Sequence, residues 1–324
     1  MATSQQLKAL LQSYLENDKE QFLSVALQMA AAEARKGHAA VARELKDLVD
    51  QVRDRPRVVA PVPLARPRGE LAELLSQAYP AERLADLVIR NELLVQLQRV
   101  LREQRQSVAI KEHGLVPRRK LLLAGAPGTG KTLTARVLAG ELGIPFFVVR
   151  MDAIVTKFMG ETSAKLRQVF DAIADRRGVY LFDEFDGIGA ERGRDNEVGE
   201  MRRVLNTFLQ LVEHDHSDSL IIAATNHVAI LDEALFRRFD DVLLFDRPNA
   251  GEIAELIKRR LAGFAPRSMS NARLTAAAAG LSHSEIANAC NDAVKDAIVC
   301  GQRVASLSVL EQALKRRARL TTQK

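Results

Sequence analysis

The stretch Gly125-Ala126-Pro127-Gly128-Thr129-Gly130-Lys131-Thr132 decides the fold. It fits G-x-x-x-x-G-K-[ST], a loop that wraps phosphate. Upstream, Lys120-Leu121-Leu122-Leu123-Ala124 reads as a short apolar strand, and downstream Leu133-Thr134-Ala135-Arg136-Val137-Leu138-Ala139 has a helical pattern. Strand, loop and helix in that order are the setting such a loop needs. Its glycines let the backbone curl around an anion with no Cβ in the way. Successive N–H groups then point inward, and the helix N-terminus adds partial positive charge. Lys131 is expected to reach the β- and γ-phosphates, and the Thr132 hydroxyl to bind Mg²⁺. The expected nucleotide-binding set is Gly125, Pro127, Gly128, Thr129, Gly130, Lys131, Thr132 and Leu133, and the expected ligands are a nucleoside triphosphate and Mg²⁺.

Three further runs carry chemistry. Val179-Tyr180-Leu181-Phe182-Asp183-Glu184 is an apolar strand that delivers two carboxylates at its C-terminal end. In an open α/β sheet that edge is where ligands bind. Asp183 is expected to hold Mg²⁺, directly or through water, and Glu184 to polarise the attacking water as general base. Leu220-Ile221-Ile222-Ala223-Ala224-Thr225-Asn226 is another apolar strand with a polar end. Asn226 can sit between the γ-phosphate and the attacking water, or simply form an Asx turn. In Leu231-Asp232-Glu233-Ala234-Leu235-Phe236-Arg237-Arg238-Phe239-Asp240, two adjacent arginines stand between apolar residues. A guanidinium can neutralise charge developing on a transferring phosphoryl group.

Around these runs, from 120 to about 246, strands at Lys120–Ala124, Pro145–Arg150, Gly178–Phe182, Ser219–Ala224 and Val242–Phe245 alternate with helical segments. That alternation predicts an α/β domain with a parallel sheet covered on both faces. Residues 70–114 read as helical and lead into it. After Pro248 four helices are expected, at Ile253–Leu261, Asn271–Ala279, Ser282–Val299 and Ser306–Arg319. Residues 4–54 read as three amphipathic helices, with stripes such as Leu7, Leu10, Leu11, Tyr14 and Val41, Leu45, Leu48, Val52. This unit is either an adaptor that docks a partner or an oligomerisation arm. Four prolines within Arg55–Gly69 favour an extended spacer. The expected domains are therefore 1–54, a linker at 55–69, the α/β domain at 70–248 and a helical C-terminal unit at 249–324.

Composition narrows the function classes. The chain of 324 residues has a formal net charge of +6, no Trp, twelve Phe and three Tyr. The pI of about 9.4 permits an acidic partner. The basic clusters are short and scattered, and no aromatic platform for stacking bases is present, which argues against nucleic acid. The polar N-terminus and the lack of an apolar run of about 20 residues predict no membrane span and a cytoplasmic protein. Cys290 and Cys300 read as ordinary buried thiols.

The ordered motifs resemble those of the AAA ATPases, in the AAA+ superfamily. Here GAPGTGKT looks like Walker A, VYLFDE like Walker B, IIAATN like sensor 1, and Ala224–Asp240 like the second region of homology. The resemblance covers roughly residues 80–320. It implies a P-loop α/β domain with a four-helix lid, a hexameric homo-oligomer with ATP between subunits, and work on a protein substrate threaded or pried apart through a central pore. It also implies roles for Lys131, Thr132, Asp183, Glu184 and Asn226, with arginine fingers at Arg237 and Arg238. Lys157-Phe158-Met159-Gly160 resembles the pore loop that grips substrate, and residues from about Gly187 to Gly199 resemble a second pore-facing loop. Three departures stand out. The two arginines are directly adjacent, which leaves open which one acts as the finger. Glu213–Asp218 replaces an Asp-Gly-Phe signalling element. The lid's Ser-Gly-Ala-Asp stretch appears as Ser282-His283-Ser284-Glu285, so that His283 and Ser284 either contact nucleotide or belong to a helix cap built by Ser282 and Glu285.

The leading reading is a ring ATPase that remodels, unfolds or disassembles a protein partner, recruited through the N-terminal helices. One alternative is a nucleotide-switched scaffold that regulates a partner enzyme. Another is a nucleic-acid-associated loader, which the aromatic pore run disfavours.

Overall fold

The computed structural model describes residues 69–154, 159–185, 195–226, 237–266 and 271–322, with a few positions between 25 and 43. The chain divides into two units, Met1–Ala60 and Pro61–Lys324. In the first unit, Val25, residues 28–32, Ala34 and Arg43 are helical, and Val25 and Ala30 are buried. The rest of the three expected N-terminal helices, and the proline-rich spacer up to residue 68, lie outside the described residues.

The second unit is built on a six-stranded sheet. Its strands are β1 (Leu75–Ala78), β2 (Lys120–Gly125), β3 (Phe146–Val149), β4 (Val179–Phe182), β5 (Leu220–Thr225) and β6 (Asp241–Phe245), in the order β1-β3-β4-β5-β2-β6. β2 through β6 pair in parallel, and β1 runs antiparallel to β3. The five parallel strands stand where the apolar runs predict them.

β1 corrects the expectation of continuous helix from 70 to 114. A short helix α1 (Glu70–Leu74) passes directly into the strand. Leu75-Ser76-Gln77-Ala78 has no strong strand signal of its own. The open edge of β3 supplies backbone partners, with Leu75 opposite Val149 and Ala78 opposite Phe146, and Pro80 disfavours helix at the residue before it. A single 3-10 turn (Leu84–Asp86) follows, and α-helix resumes at α2 (Asn91–Arg105), followed by α3 (Ser107–Glu112).

Successive side chains on a strand point to opposite faces, and both faces here are apolar. Leu121, Leu123, Val179, Leu181, Leu220, Ile222 and Ala224 pack on one side with Leu97 and Leu101 of α2 and Leu138 of α4 (Lys131–Leu142). Leu122, Tyr180, Phe182, Ile221 and Ala223 pack on the other. There they meet α6 (Met159–Asp175), which follows a short α5 (Met151–Ile154), and α7 (Asp195–His214). The rings of Phe182 and Phe208 lie 4.8 Å apart in this layer.

The last four helices are α8 (Ala250–Arg260), α9 (Asn271–Ala278), α10 (His283–Val299) and α11 (Leu307–Thr322). They enclose their own core of Ile253, Leu256, Ile257, Leu261, Leu274, Ile286, Leu310 and Leu314. Asn249 and Ser282 cap α8 and α10 through boxes completed by Glu252 and Glu285. Of the two cysteines, Cys290 is buried, whereas Cys300 is exposed at the end of α10, contrary to the expectation of two buried thiols.

Candidate active site

Parallel pairing brings the C-terminal ends of β2, β4 and β5 to one edge of the sheet. The phosphate loop leaves β2 there, Asp183 and Glu184 follow β4, and Asn226 follows β5. Together with the lid they line a cleft of about 450 Å³. The core side contributes Asp86–Ile89, Pro127–Leu133, Asp183, Glu184 and Asn226, and the lid contributes Leu256, Arg260, His283, Ser284, Ala287, Asn288 and Asn291.

Lys131 is the first residue of α4, and Gly130, in left-handed conformation, precedes it. The ammonium is buried and donates to the carbonyls of Gly125 (2.6 Å) and Ala126 (3.0 Å) and to Asn226 Oδ1 (2.8 Å). Thr132 Oγ1 donates to Asp183 Oδ2 at 2.8 Å. A hydroxyl and a carboxylate therefore converge beside the loop. Glu184 has φ of 49°, and it is the one non-glycine residue with positive φ among the described residues. Such strain in a long side chain clusters at functional sites, and the turn holds the Glu184 carboxylate exposed next to Asp183.

The lid touches the loop directly. The Ser284 N–H donates to the Gly128 carbonyl at 3.0 Å. A Cβ on Gly128 (φ +75°) would stand 2.2 Å from Ser284 Oγ and 2.8 Å from Ser282 Oγ. Gly125 is just as constrained, since a Cβ there would lie 2.0 Å from the Phe245 carbonyl oxygen. The cap and the cleft are thus both parts of the Ser282–Glu285 stretch: Ser282 and Glu285 build the box, while His283 and Ser284 line the cleft. Both ring nitrogens of His283 are shielded from solvent and geometrically unpartnered. Glu252 and the Val88 backbone lie near enough to favour its charged form, but burial outweighs them and holds the imidazole below its ordinary value.

Arg237 and Arg238 do not enter this cleft. They precede β6, at the N-terminal edge of the sheet, while the cleft is at the opposite edge. Arg237 is exposed, and Arg238 Nε lies 3.6 Å from Glu213 Oε2. Lys157 and Phe158 lie outside the described residues, as does the stretch 186–194. Met159 and Gly160 already belong to the first turn of α6, and residues 195–199 begin α7 rather than continuing a loop. Of the lid's cleft-lining residues, His283 and Ser284 were read in the sequence, whereas Ala287, Asn288, Asn291 and Arg260 were not. Ser284, Ala287, Asn288 and Asn291 recur at helical spacing on one side of α10, a signal that becomes legible once the helix start is known. Arg260 gives no comparable signal.

Fold and cleft together define a P-loop nucleoside triphosphatase. The family profile described as "ATPase family associated with various cellular activities (AAA)" matches residues 121–247. The uncharacterized AAA family ATPase y4kL of Sinorhizobium fredii is 34% identical over 304 residues, which cover 92% of this chain and 90% of that protein. The chain belongs to the AAA ATPase family, and it is an ATP-hydrolysing member. The ATP-dependent zinc metalloprotease FtsH of Rhodothermus marinus is 36% identical over 205 residues, 60% of this chain but only 29% of that protein. The crystal structure of the FIGL-1 AAA domain superposes with a TM-score of 0.59 at 21% identity, covering 76% of this chain and 86% of that one, a likeness of fold. Among the described residues no helix is long and apolar enough to cross a membrane.

Proposed function

We propose that this protein is a Mg²⁺-dependent ring ATPase, assembled as a hexamer, that converts ATP turnover into mechanical work on a protein partner. One observation carries the shared-site part of this reading: the arginine pair precedes β6, across the sheet from the subunit's own phosphate loop. Strands of five to six residues put roughly 17–20 Å between those two edges. An arginine so placed serves a phosphate only in another copy, and head-to-tail contacts of this kind close into rings.

Within a subunit, the loop amides, Lys131 and Thr132 hold the triphosphate. Mg²⁺ favours hard oxygen donors and keeps part of its water shell. Thr132 and Asp183, 2.8 Å apart, fit that demand together with phosphate oxygens. The metal would neutralise charge on the β- and γ-phosphates. Glu184 takes the proton of the attacking water, Asn226 orients that water against the γ-phosphate, and Arg237 or Arg238 of the next subunit stabilises the charge that develops. The lid contact at Gly128 links nucleotide state to lid position. Lys157-Phe158-Met159-Gly160, ahead of α6, is the segment proposed to grip an unfolded stretch of substrate, and residues 1–54 to recruit it. The likeness to FtsH, an ATP-dependent protease by name, supports protein as the class of substrate.

The test is a Glu184→Gln variant in ATP with size-exclusion and light scattering, followed by capture of the bound client. A ring of about six subunits that retains a client is the expected result. A species that stays monomeric with Mg²⁺ and ATP at high concentration, and whose parent hydrolyses ATP at a rate per subunit independent of concentration, overturns the reading.

A further inference from the structure

Asp240 closes the segment that carries Arg237 and Arg238. Its Oδ2 accepts the N–H of Arg119 at 2.8 Å and that of Lys120 at 2.9 Å. Its own N–H donates to the Lys120 carbonyl at 2.8 Å. Three bonds therefore fasten one residue to the start of β2. Next to it, Phe239 is buried in the aromatic layer of the core.

The start of β2 is itself held from the other side. The Arg119 guanidinium engages both the carboxylate and the backbone carbonyl of Asp215, and only 6% and 4% of these two side chains remain exposed. Asp215 also accepts the Ser217 N–H at 3.3 Å and the Ser217 hydroxyl at 3.0 Å. Lys120 Nζ donates to the Glu213 carbonyl at 3.1 Å, and the Glu213 carboxylate is the group that faces Arg238. A buried ion pair adds little net stability compared with apolar packing, and breaking it is costly. Such a pair can fix a geometry where it adds little stability.

We infer that Asp240, backed by the Arg119–Asp215 pair, is a positioning residue for the arginines that one subunit offers to the next; this rests on the shared-arginine reading above. An arginine side chain is long and rotamer-rich, so its guanidinium meets a phosphate in a defined pose only if its backbone is pinned. Displacement by about 1 Å can cost on the order of a hundredfold in rate. Asp240 pins the chain two residues beyond Arg238 and three beyond Arg237, and it does so on the strand whose other end opens into the phosphate loop. A plain staple between β2 and β6 would weaken any subunit that lacks it. A positioning residue matters only in the subunit that donates the arginine.

Mixed assemblies of the full chain separate the two. Subunits with Arg237→Ala and Arg238→Ala keep an intact pocket, and Glu184→Gln subunits keep intact arginines. Mixing them is expected to restore ATP turnover that neither shows alone. Asp240→Ala is then placed in one partner at a time. In the Glu184→Gln donor it lowers the restored rate at least tenfold, and in the pocket-bearing partner it changes the rate less than twofold. Asp240→Glu keeps the charge but shifts the anchor by one methylene, gives the same asymmetry at smaller amplitude, and carries the test if the alanine chain does not fold. Equal losses in both placements, or no loss in the donor, overturn the inference. If the unmodified mixture restores nothing, the shared-arginine reading falls first and this inference with it.

Discussion

Lys131 Nζ donates to Asn226 Oδ1 at 2.8 Å across 95 residues of sequence. The cation that should bind the γ-phosphate and the amide that should orient water against it are thus hydrogen-bonded neighbours. An arriving γ-phosphate competes with Asn226 and with two loop carbonyls for the three N–H donors of one ammonium. The contact predicts that the two side chains respond differently to removal. Lys131→Ala is expected to weaken ATP binding at least about a hundredfold, because a buried charge-assisted contact is lost. Asn226→Ala is expected to bind ATP within about threefold of the parent while kcat falls by roughly tenfold to a hundredfold. Calorimetric titration with ATP, alongside steady-state turnover, checks both.

Glu184 joins chemistry to backbone strain. Glu184→Gln should retain ATP and lose at least about a hundredfold in turnover, since the amide cannot take a proton. The φ of 49° gives a second, independent expectation. Glu184→Gly should be more stable than Glu184→Ala by about 1 kcal/mol, because left-handed backbone penalises a Cβ. Thermal unfolding of the two inactive variants measures that difference.

Gly128 couples the phosphate loop to the lid. Gly128→Ala would set a Cβ 2.2 Å from Ser284 Oγ at a φ of +75°, so the lid must shift or the loop must open. Weaker nucleotide binding and faster amide exchange at the start of α10 are expected. Adding Ser284→Ala to Gly128→Ala should recover part of the loss by removing the nearest clashing atom. Exchange mass spectrometry with and without ATP reads the effect directly.

His283 predicts a pH dependence with a definite sign. Burial holds its folded value below the ordinary 6.5, so below about pH 6.5 the unfolded chain binds more of a proton at this position than the folded chain does. Stability therefore rises with pH through that window and is lost as pH falls below about 6.5. His283→Gln should flatten the curve between pH 7.5 and 5.5 relative to the parent. Parallel melting curves at several pH values decide; equal slopes would remove His283 as the cause.

The two thiols differ by environment. Cys290 is buried in the lid core with its thiol pushed up to about 11, and Cys300 is exposed. Iodoacetamide at neutral pH should label Cys300 in the native protein and Cys290 only after unfolding. Peptide mapping of the alkylated sites checks the order.

The parts of the site that were legible in sequence are those made by neighbouring residues. A phosphate loop needs its glycines, lysine and threonine in one run, and the acid pair needs only the strand that ends at Phe182. The runs Leu121–Ala124, Val179–Phe182 and Leu220–Ala224 are apolar throughout because both faces of the sheet are covered. β1 escaped this reading because its pairing comes from the edge of β3 and not from its own side chains. The contribution of Arg260, Asn288 and Asn291 to the cleft escaped it because lid helices show their inner face only after they dock.

By itself, the sequence determined a phosphate loop, its strand and helix, and a second strand that ends in two carboxylates, because each is local chemistry written in consecutive residues. Tertiary structure alone decided that Lys131 meets Asn226, that Ser284 closes on Gly128, and that Arg237 and Arg238 stand across the sheet from the cleft of the same chain. Parallel pairing is the physical reason: it brings the ends of distant strands to one edge and leaves whatever precedes them at the other.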